Sequence, residues 1–236
     1  MKFDVKKVAH WSFYHIPELE EKGILHGFCS EGAPSNLLQK ETRMDFLCAF
    51  SLKDVVSMNQ EHGCDVHVIS NGQRPHSGDG LIILEKNVAG IIRTADCLPI
   101  ILCDATHPMV SIVHAGWRGT VKKIVRKAIF SMIELGCKTK DIIALLGPSI
   151  GPCCYEVKED VCRAFEEGGF PGHVFLKREN SLFLKLKQAN TWMLNRSGIN
   201  EIYDLNMCTR CNDALFHSFR RGDTGKRQIN FVSLKG

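Results

Sequence analysis

Residues 55–115 consist of short runs rich in valine and isoleucine, and Gly, Asn, Asp or Pro separates each run from the next. Runs bounded by these turn-forming residues predict β-strands. The apolar residues are nearly continuous within each run, which indicates strands that are covered on both faces. A chain with such a segment is constrained to fold around a buried sheet. The predicted strands span residues 55–60, 65–70, 80–85, 88–95, 98–104 and 109–115.

The spacing of apolar residues changes after residue 120. In residues 121–135 they recur three or four positions apart, with lysines and an arginine between them, which predicts one amphipathic helix. Thr120 is expected to cap its start, and Gly136 suits the left-handed residue that ends a helix. Similar reasoning predicts helices at 158–169 and 185–199 and strands at 141–147, 201–206 and 227–234.

These elements predict an α/β (α+β) fold in which helices cover a mixed sheet. No repeat, low-complexity tract or Pro/Ser-rich linker interrupts the 236 residues, so a single domain over residues 1–236 is expected. Hydrophobic residues make up 44% of the chain and charged residues 24%, as in an ordinary globular protein.

The charge pattern narrows the choice of partners. The net charge of +4 is mild, and the basic residues are scattered except for one group at 220–227, which does not favour a nucleic-acid partner. No apolar stretch approaches the roughly 20 residues that span a bilayer, and the first residues lack the apolar core of a secretory signal. We therefore expect a cytoplasmic monomer or homodimer with no membrane or nucleic-acid partner.

The chain has 11 cysteines, which in the cytoplasm are mostly reduced thiols. Cys208 and Cys211 have the spacing of a redox or zinc motif, but no second pair has that spacing, so we interpret them as structural. Cys153 and Cys154 are adjacent, and we do not expect them to bind one ion together.

Three residues of metal-ligand type fall at boundaries of predicted strands. His62 lies at a break between strands, Cys97 directly precedes the strand at 98–104, and His114 ends the following strand. A sheet can gather such strand ends at one edge. Two histidines and one cysteine are a known ligand set for catalytic zinc, with a fourth position open to water.

The spacing of these three residues matches no local zinc motif, so two other interpretations stay open at this point. In the first, they are unrelated strand-end residues and Cys97 is simply buried. In the second, Cys97 is a thiolate nucleophile and His114 is its base.

Five segments occur in order along the chain and carry a resemblance to a known family: "NQEHG", "TADCLPIILCD", "HAGWRGTVKKIV", "LGPSIGPCCYEV" and "FHSFRRGDTGKRQ". From about residue 24 to the C-terminus, the chain resembles the YfiH/DUF152 family, whose members are also called multicopper polyphenol oxidoreductases, laccase-like proteins and peptidoglycan editing factors. The resemblance implies one α/β domain with a metal ion bound by His62, Cys97 and His114. It also implies zinc-dependent phosphorolysis of adenosine, inosine and guanosine and hydrolytic deamination of adenosine, with a purine nucleoside and phosphate as partners.

Residues beside the three ligands are candidates for further roles. Asp96 either moves protons as a catalytic carboxylate or orients a metal-binding histidine. Arg118 either holds phosphate at the start of a helix or bonds backbone carbonyls. Gln60 either hydrogen-bonds a base edge or pairs within the sheet. Glu61, next to His62, is a weaker candidate for proton transfer.

A second group of candidates lies farther along the chain. The resemblance implies that Asn36 and Arg43 contact ribose or phosphate, although the loop is shorter here than in the family and Glu-Thr precedes Arg43. Trp117 is expected in the core. Residues 220–227 are either a solvated hairpin turn or a lid that carries Arg220 or Arg221 to an anionic substrate.

Three alternative functions remain beside the zinc-dependent nucleoside enzyme. A copper-dependent polyphenol oxidase would need several coppers held by clustered His-x-His pairs, and the sequence has no such pair. A cysteine-nucleophile hydrolase that edits peptidoglycan precursors would use Cys97, and the family's similarity in fold to cysteine hydrolases keeps it open. The last alternative is a zinc-stabilised interaction module without catalysis.

Overall fold

The computed structural model describes residues 1–30, 32–34, 37 and 39–236. The strands are β1 (Asp4–Val8), β2 (Trp11–His15), β3 (Ile24–Cys29), β4 (Asp54–Ser57), β5 (Val66–Ile69), β6 (Gly80–Ile83), β7 (Val88–Thr94), β8 (Leu98–Asp104), β9 (Met109–Ala115), β10 (Ile142–Leu146), β11 (Glu156–Val157), β12 (Phe175–Arg178), β13 (Ser181–Leu184), β14 (Glu201–Asp204) and β15 (Gln228–Leu234). The helices are α1 (Pro17–Glu21), α2 (Lys40–Phe50), α3 (Trp117–Val121), α4 (Ile124–Glu134), α5 (Glu159–Glu167) and α6 (Leu186–Arg196). Over the described residues, none of these helices has the length and apolar character to cross a bilayer.

The α/β prediction is confirmed, and the strands lie in two large sheets and one small sheet rather than in a single sheet. The first sheet has the strand order β1-β2-β3-β15-β7-β4, and the second has the order β14-β10-β8-β9-β6-β5. The small sheet has the order β11-β13-β12. Both large sheets mix parallel and antiparallel neighbours: β4 runs parallel to β7, and β8 runs antiparallel to β9.

The near-continuous apolar runs are explained by the stacking of these layers. Successive side chains of a strand point to opposite faces. Ile92 on β7 and Ile101 on β8 lie in the apolar core between the two large sheets. Their neighbours point the other way: Ile91 packs in the core that includes Phe46 of α2, and Ile100 packs in the core that includes residues of α4, α5 and α6. The prediction of burial on both faces is therefore confirmed for β6 to β9, whereas the edge strands β4 and β5 are partly exposed.

The prediction of one helix over residues 121–135 is wrong about where the helix begins, and two helices form instead of one. The chain forms α3 from Trp117 and then α4 from Ile124, and Lys123 between them has a left-handed backbone with φ of 63°. Thr120 caps neither helix; it is buried inside α3, and its hydroxyl accepts a hydrogen bond from Asn190 at 3.0 Å. Gly136 follows α4 with φ of 109°, as predicted. The early start of α3 brings its first turn directly beside the end of β9.

The buried imidazole of His26 on β3 has two backbone partners. The Ile16 N–H donates to Nε2 at 2.9 Å, and Nδ1 donates to the Ile24 carbonyl at 3.0 Å. Burial lowers the pKa of His26 from 6.5 to about 4, although the Ile24 carbonyl opposes this shift. A proton added at Nε2 would face the Ile16 N–H, so the fold holds the neutral ring.

We expect the free energy of unfolding to fall as the pH decreases from 6.5 to about 4, because the unfolded chain binds a proton at His26 that the folded chain excludes. Above pH 6.5 this stability is fully present, and the loss across the window reaches about 3 kcal/mol. Urea unfolding of the wild type and His26→Gln between these pH values measures the effect. The variant should show the weaker pH dependence, and equal dependence in both proteins would contradict the assignment.

Candidate metal centre and its cavity

The pairing of β8 with β9 brings Cys97 and His114 together. In this antiparallel register Leu98 faces Ala115 and Pro99 faces His114. Cys97 is the residue before β8, and His114 is the next-to-last residue of β9. The two side chains therefore lie at the same edge of the second sheet, where the sequence predicts them.

His62 reaches this edge from the loop between β4 and β5. Its backbone has φ of 58°, a left-handed conformation that turns the chain sharply. The ligand atoms of His62, Cys97 and His114 all lie within 4.8 Å of one another. His62 is exposed, Cys97 is partly exposed and His114 is buried, so the group is open to solvent on one side only.

Asp79, just before β6, holds this group in place, and the sequence analysis missed it. Its Oδ1 lies 2.7 Å from Nδ1 of His114 and accepts from the His62 N–H at 3.0 Å. Its Oδ2 accepts from the N–H groups of Gly63 at 2.6 Å and Glu61 at 3.2 Å. Asp79 is fully buried. One carboxylate thus orients the His114 ring, leaves its Nε2 available to a metal ion, and shapes the loop that carries His62.

The titration behaviour of the group follows from its mutual contacts. Burial alone would raise the pKa of the Cys97 thiol, but the imidazoles of His114 and His62 outweigh it and lower the pKa from 9.0 to about 6. Burial alone would lower the pKa of His114, but Cys97 and Asp79 outweigh it and raise the pKa to about 9. The site therefore favours a thiolate at Cys97 beside a positively charged His114 ring.

The donor set fits a transition-metal ion. Two imidazole nitrogens and one thiolate sulfur suit zinc and, by ligand type, copper. The carboxylate behind His114 matches the partner that metal-binding histidines usually have on their second nitrogen. The three side chains would supply three ligands, one fewer than a closed tetrahedral zinc site has.

Glycines of the segment "HAGWRG" allow α3 to approach this centre closely. A Cβ on Gly116 would lie 2.9 Å from Sγ of Cys97 and 3.4 Å from Cδ2 of His62. A Cβ on Gly119 would lie 2.9 Å from the carbonyl oxygen of Gly63. Both glycines therefore remove side-chain atoms where the thiol and the His62 loop lie.

Gly116→Ala is expected to push the Cys97 thiol and the His62 ring from their positions, because the added Cβ would lie inside van der Waals contact with the sulfur. We expect metal affinity to fall about tenfold, the lower end of what disturbed ligand orientation costs. Competition with a chelating dye measures it. Gly172→Ala is the matched control, since a Cβ there meets nothing within 4 Å. Unchanged affinity in Gly116→Ala would contradict the steric argument.

The three candidate ligands line a cavity of about 550 Å³. Four arginines share its wall, and Asp96 is the one carboxylate among the described residues that line it. A concave site with this excess of positive charge concentrates anions. The arginines are Arg93, Arg118, Arg220 and Arg227.

Asp96 lies beside Cys97 with a left-handed backbone, φ 83°, and its carboxylate is nearly buried. Its Oδ1 accepts from the hydroxyl of Thr209 at 2.6 Å, and its Oδ2 accepts from the N–H of Arg220 at 2.8 Å. The hydrogen bond that orients His114 comes from Asp79 instead. Asp79 thus takes, at His114, the orienting role predicted for Asp96, and proton transfer by Asp96 stays a prediction.

The predicted substrate-binding residues lie in different places. Gln60 lines the cavity. Its side-chain NH₂ donates to the Arg93 carbonyl at 2.9 Å, and its side-chain oxygen accepts from the Arg93 N–H at 2.8 Å, so the amide pairs with β7 as a neighbouring strand would. Arg43 on α2 forms an ion pair with Asp54. Asp54 faces Val88, at the opposite end of β7 from the cavity. Asn36 lies outside the described residues.

Arg118 is exposed in the first turn of α3, and its guanidinium lies over the ring of Trp117, 4.5 Å from the ring centroid. Trp117 is half-buried: it packs against the apolar core, as predicted, and it also lines the cavity. Arg220 also lines the cavity, and its guanidinium donates to the Glu156 carbonyl at 2.9 Å. Arg221 is not among the described residues that line the cavity; its guanidinium pairs with Asp223 and donates to the Thr209 carbonyl at 3.1 Å.

A second group of possible metal ligands lies outside this cavity. The sulfurs of Cys153, Cys154, Cys208 and Cys211 all lie within 4.8 Å of one another. We expected that Cys153 and Cys154 could not bind one ion together. This expectation is wrong, because the loop after β10 turns both thiols toward Cys208 and Cys211.

Residues 25–235 match the family described as multicopper polyphenol oxidoreductase laccase. Over 197 residues the chain is 34% identical to a purine nucleoside phosphorylase of Deinococcus radiodurans, and the match covers 82% of this chain and 76% of that protein. It is 34% identical over 185 residues to adenosine deaminase RL5 from an unknown prokaryotic organism, with 72% of this chain and 71% of that protein covered.

The human relative is longer. The chain is 30% identical over 201 residues to purine nucleoside phosphorylase LACC1 of Homo sapiens; the match covers 82% of this chain but 46% of that protein, so the chain spans about half its length. The fold is similar to the crystal structure of the Bacillus licheniformis protein YfiH, with a TM-score of 0.87, 27% identity, and 98% and 99% of the two chains covered.

Proposed function

The chain belongs to the multicopper polyphenol oxidoreductase laccase family, and we propose that it is a zinc-dependent purine nucleoside enzyme. It cleaves adenosine, inosine and guanosine with phosphate to give the free base and ribose 1-phosphate. It also hydrolyses adenosine to inosine and ammonia. The names of its relatives include both activities.

One observation supports this proposal above all: three residues that could bind one metal ion lie in the wall of a cavity that four arginines also line. An open metal site supports hydrolytic chemistry, and arginines favour phosphate through paired, charge-assisted hydrogen bonds. A polyphenol is neutral and gains nothing from such a charge. A phosphate and a nucleoside therefore suit the cavity better.

His62, Cys97 and His114 would hold the zinc ion, with Asp79 fixing His114. When bound at such a site, zinc supplies Lewis acidity and activates water. Asp96 would accept and return protons, because each of its oxygens accepts one protein hydrogen bond and keeps further lone pairs for a substrate or water.

Substrate positioning would come from the walls of the cavity. The Phe219 ring is 57% exposed and lines the cavity, so it can stack on a purine. Arg118, at the start of α3, is without a hydrogen-bonding side-chain partner among the described residues and can turn from Trp117 to phosphate. Gln60, whose amide is already paired, would shape the wall rather than read the base.

Zinc suits this centre better than a set of coppers. Among the described residues, one of the two groups of possible ligands contains histidine, and it offers three ligands for one ion. A four-electron oxidase needs several coppers, and no second histidine-containing group lies near the first within the described residues. A thiol-nucleophile hydrolase stays as the second candidate, because both imidazoles contact the Cys97 thiol.

The test is to incubate the protein, purified without a polyhistidine tag, with adenosine or inosine and to separate the products. Adenosine alone should give inosine and ammonia, and added phosphate should give ribose 1-phosphate with a free base. The proposal fails if no nucleoside is converted in either assay. Phenol-dependent oxygen uptake or hydrolysis of a cell-wall precursor would then identify which alternative holds.

Arg118→Ala is expected to raise the phosphate concentration needed for phosphorolysis about tenfold to hundredfold, the loss of a charge-assisted contact of roughly 1.5–3 kcal/mol. Deamination should be spared, because it uses no phosphate. Initial rates at varied phosphate measure the effect, with Arg126→Ala on α4 as the matched control outside the cavity. If Arg118→Ala lowers both reactions and the metal content equally, the residue is structural.

A further inference from the structure

The four-cysteine cluster (Cys153, Cys154, Cys208 and Cys211) brings together two segments that are far apart in sequence. Cys153 and Cys154 lie in the loop between β10 and β11, and the other two follow β14. The Sγ of Cys211 lies 3.5 Å from that of Cys153 and 3.4 Å from that of Cys154. All four sulfurs lie within 4.8 Å of one another.

This spacing fits one tetrahedral ion. Zinc bonds thiolate sulfur at about 2.3 Å, which places the sulfurs of a tetrahedral site about 3.8 Å apart. Two of the separations, 3.4 and 3.5 Å, lie just below this value and none exceeds 4.8 Å, so shifts of about an ångström would complete the site. Four thiolates without an oxygen or nitrogen ligand are a soft donor set that selects zinc over magnesium or calcium.

The backbone around the cluster is arranged for sulfur ligands. The Gly151 N–H donates to Sγ of Cys208 at 3.2 Å, and such a bond favours a thiolate. A Cβ on Gly151 would lie 3.2 Å from Sγ of Cys153 and 3.3 Å from Cβ of Cys208. Glycine at this position therefore leaves room for the two chains to close around the sulfurs.

The surroundings also suit a site of negative charge. A zinc ion with four thiolates carries a net charge of minus two. Lys185 and Lys187 line a cavity of about 470 Å³ together with Cys153 and Cys208. Lys187 is ion-paired with Asp204, which lines the same cavity, so the described lining keeps one unbalanced positive charge, which would offset part of that negative charge.

The cluster is joined to the candidate active site by backbone and side-chain bonds. Thr209, directly after Cys208, donates its hydroxyl to Asp96 at 2.6 Å. Ile150, on the other segment, donates its N–H to the Asp96 carbonyl at 2.9 Å. Tyr155, directly after Cys154, lines the active-site cavity. An ion that fixes the cluster would therefore help to fix Asp96 and Tyr155, which both line that cavity.

We infer that Cys153, Cys154, Cys208 and Cys211 form a second, structural zinc site, which ties the loop after β10 to the segment after β14 and so positions Thr209 against Asp96. All four ligands come from the protein, so the site is closed and has no catalytic position. The inference does not depend on the nucleoside chemistry.

The test is the zinc content of protein purified under reducing conditions without a polyhistidine tag. We expect about two zinc ions per chain in the wild type, and about one in Cys97→Ala and in the double variant Cys208→Ser/Cys211→Ser. The matched control, Cys48→Ser/Cys162→Ser, removes two thiols that lie outside the cluster and should keep the wild-type content. If the centre with Cys97 binds no metal, the wild type should hold one zinc that only the double variant loses.

A Cys97→Ala protein that holds no zinc would overturn the inference. A disulfide among the four cysteines would also overturn it; two thiols would then be missing when protein from a separate purification without reductant is denatured and its thiols are counted. Cobalt gives a second readout that does not require the double variant to fold. Cys97→Ala loaded with cobalt should show the strong visible absorption of a tetrahedral thiolate site. Weak absorption, typical of oxygen ligands, would contradict it.

Discussion

Cys97→Ala is expected to lose the metal ion of the centre and nearly all activity toward nucleosides. The change removes one of three ligands, and it also removes the anion that favours positive charge on His114. Disturbing a residue behind a ligand already costs about tenfold to hundredfold. Removing the ligand itself should therefore cost more than about a hundredfold in turnover.

Elemental analysis and initial rates on the same preparation measure this effect. The metal content should fall by one ion per chain relative to the wild type, while circular dichroism stays unchanged. Cys162→Ala, which alters a partly exposed thiol on α5, is the control and should retain both metal and activity. A Cys97→Ala protein with full metal content and no activity would instead support a thiol nucleophile.

Asp79→Asn is expected to lower metal affinity and turnover by about a hundredfold, the upper end of the range for residues that support a ligand. Asp79 accepts hydrogen bonds from three backbone N–H groups as well as bonding His114. An amide has one oxygen, so its NH₂ group would face backbone donors or the imidazole. Both the His114 ring and the turn at His62 would lose their support.

Asp65→Asn is the control for this prediction, because Asp65 is exposed, lies in the loop that carries His62, and accepts the Asp79 N–H on its carbonyl at 3.0 Å. Metal affinity by chelator competition should separate the two variants by about two orders of magnitude. Equal affinity in Asp79→Asn and the wild type would mean that the carboxylate only shapes the loop.

Much of this arrangement could be predicted from local sequence. The strands β6 to β9 follow from their apolar runs, and the family resemblance is confirmed. The positions of Cys97 and His114 at one sheet edge follow from adjacent antiparallel strands, since the turn between them is short. The single domain over residues 1–236 stays a prediction.

Contacts between distant segments could not be predicted. Asp79 lies 35 residues before His114, and only the pairing of β6 with β9 brings them together. The only local signal was an acidic residue between Gly78 and Gly80. The stacking of two sheets and the approach of Cys154 to Cys211 likewise depend on long-range packing.

The break between α3 and α4 has a different cause. Residues 121–135 keep a helical apolar spacing, but Gly116 starts the helix early so that its first turn can lie against Cys97 and the His62 loop. The helical pattern is interrupted at Lys123, which takes a left-handed conformation and separates α3 from α4.

We propose that a metal ion bound by His62, Cys97 and His114 makes this cavity the active site of a nucleoside enzyme. The most direct test of this proposal is phosphorolysis of inosine by protein that has been stripped of metal and then reloaded with zinc or with copper. We predict that stripping abolishes formation of ribose 1-phosphate and that zinc restores it without oxygen consumption. Full activity in the stripped protein, or copper-dependent phenol oxidation with no nucleoside cleavage, would contradict the account.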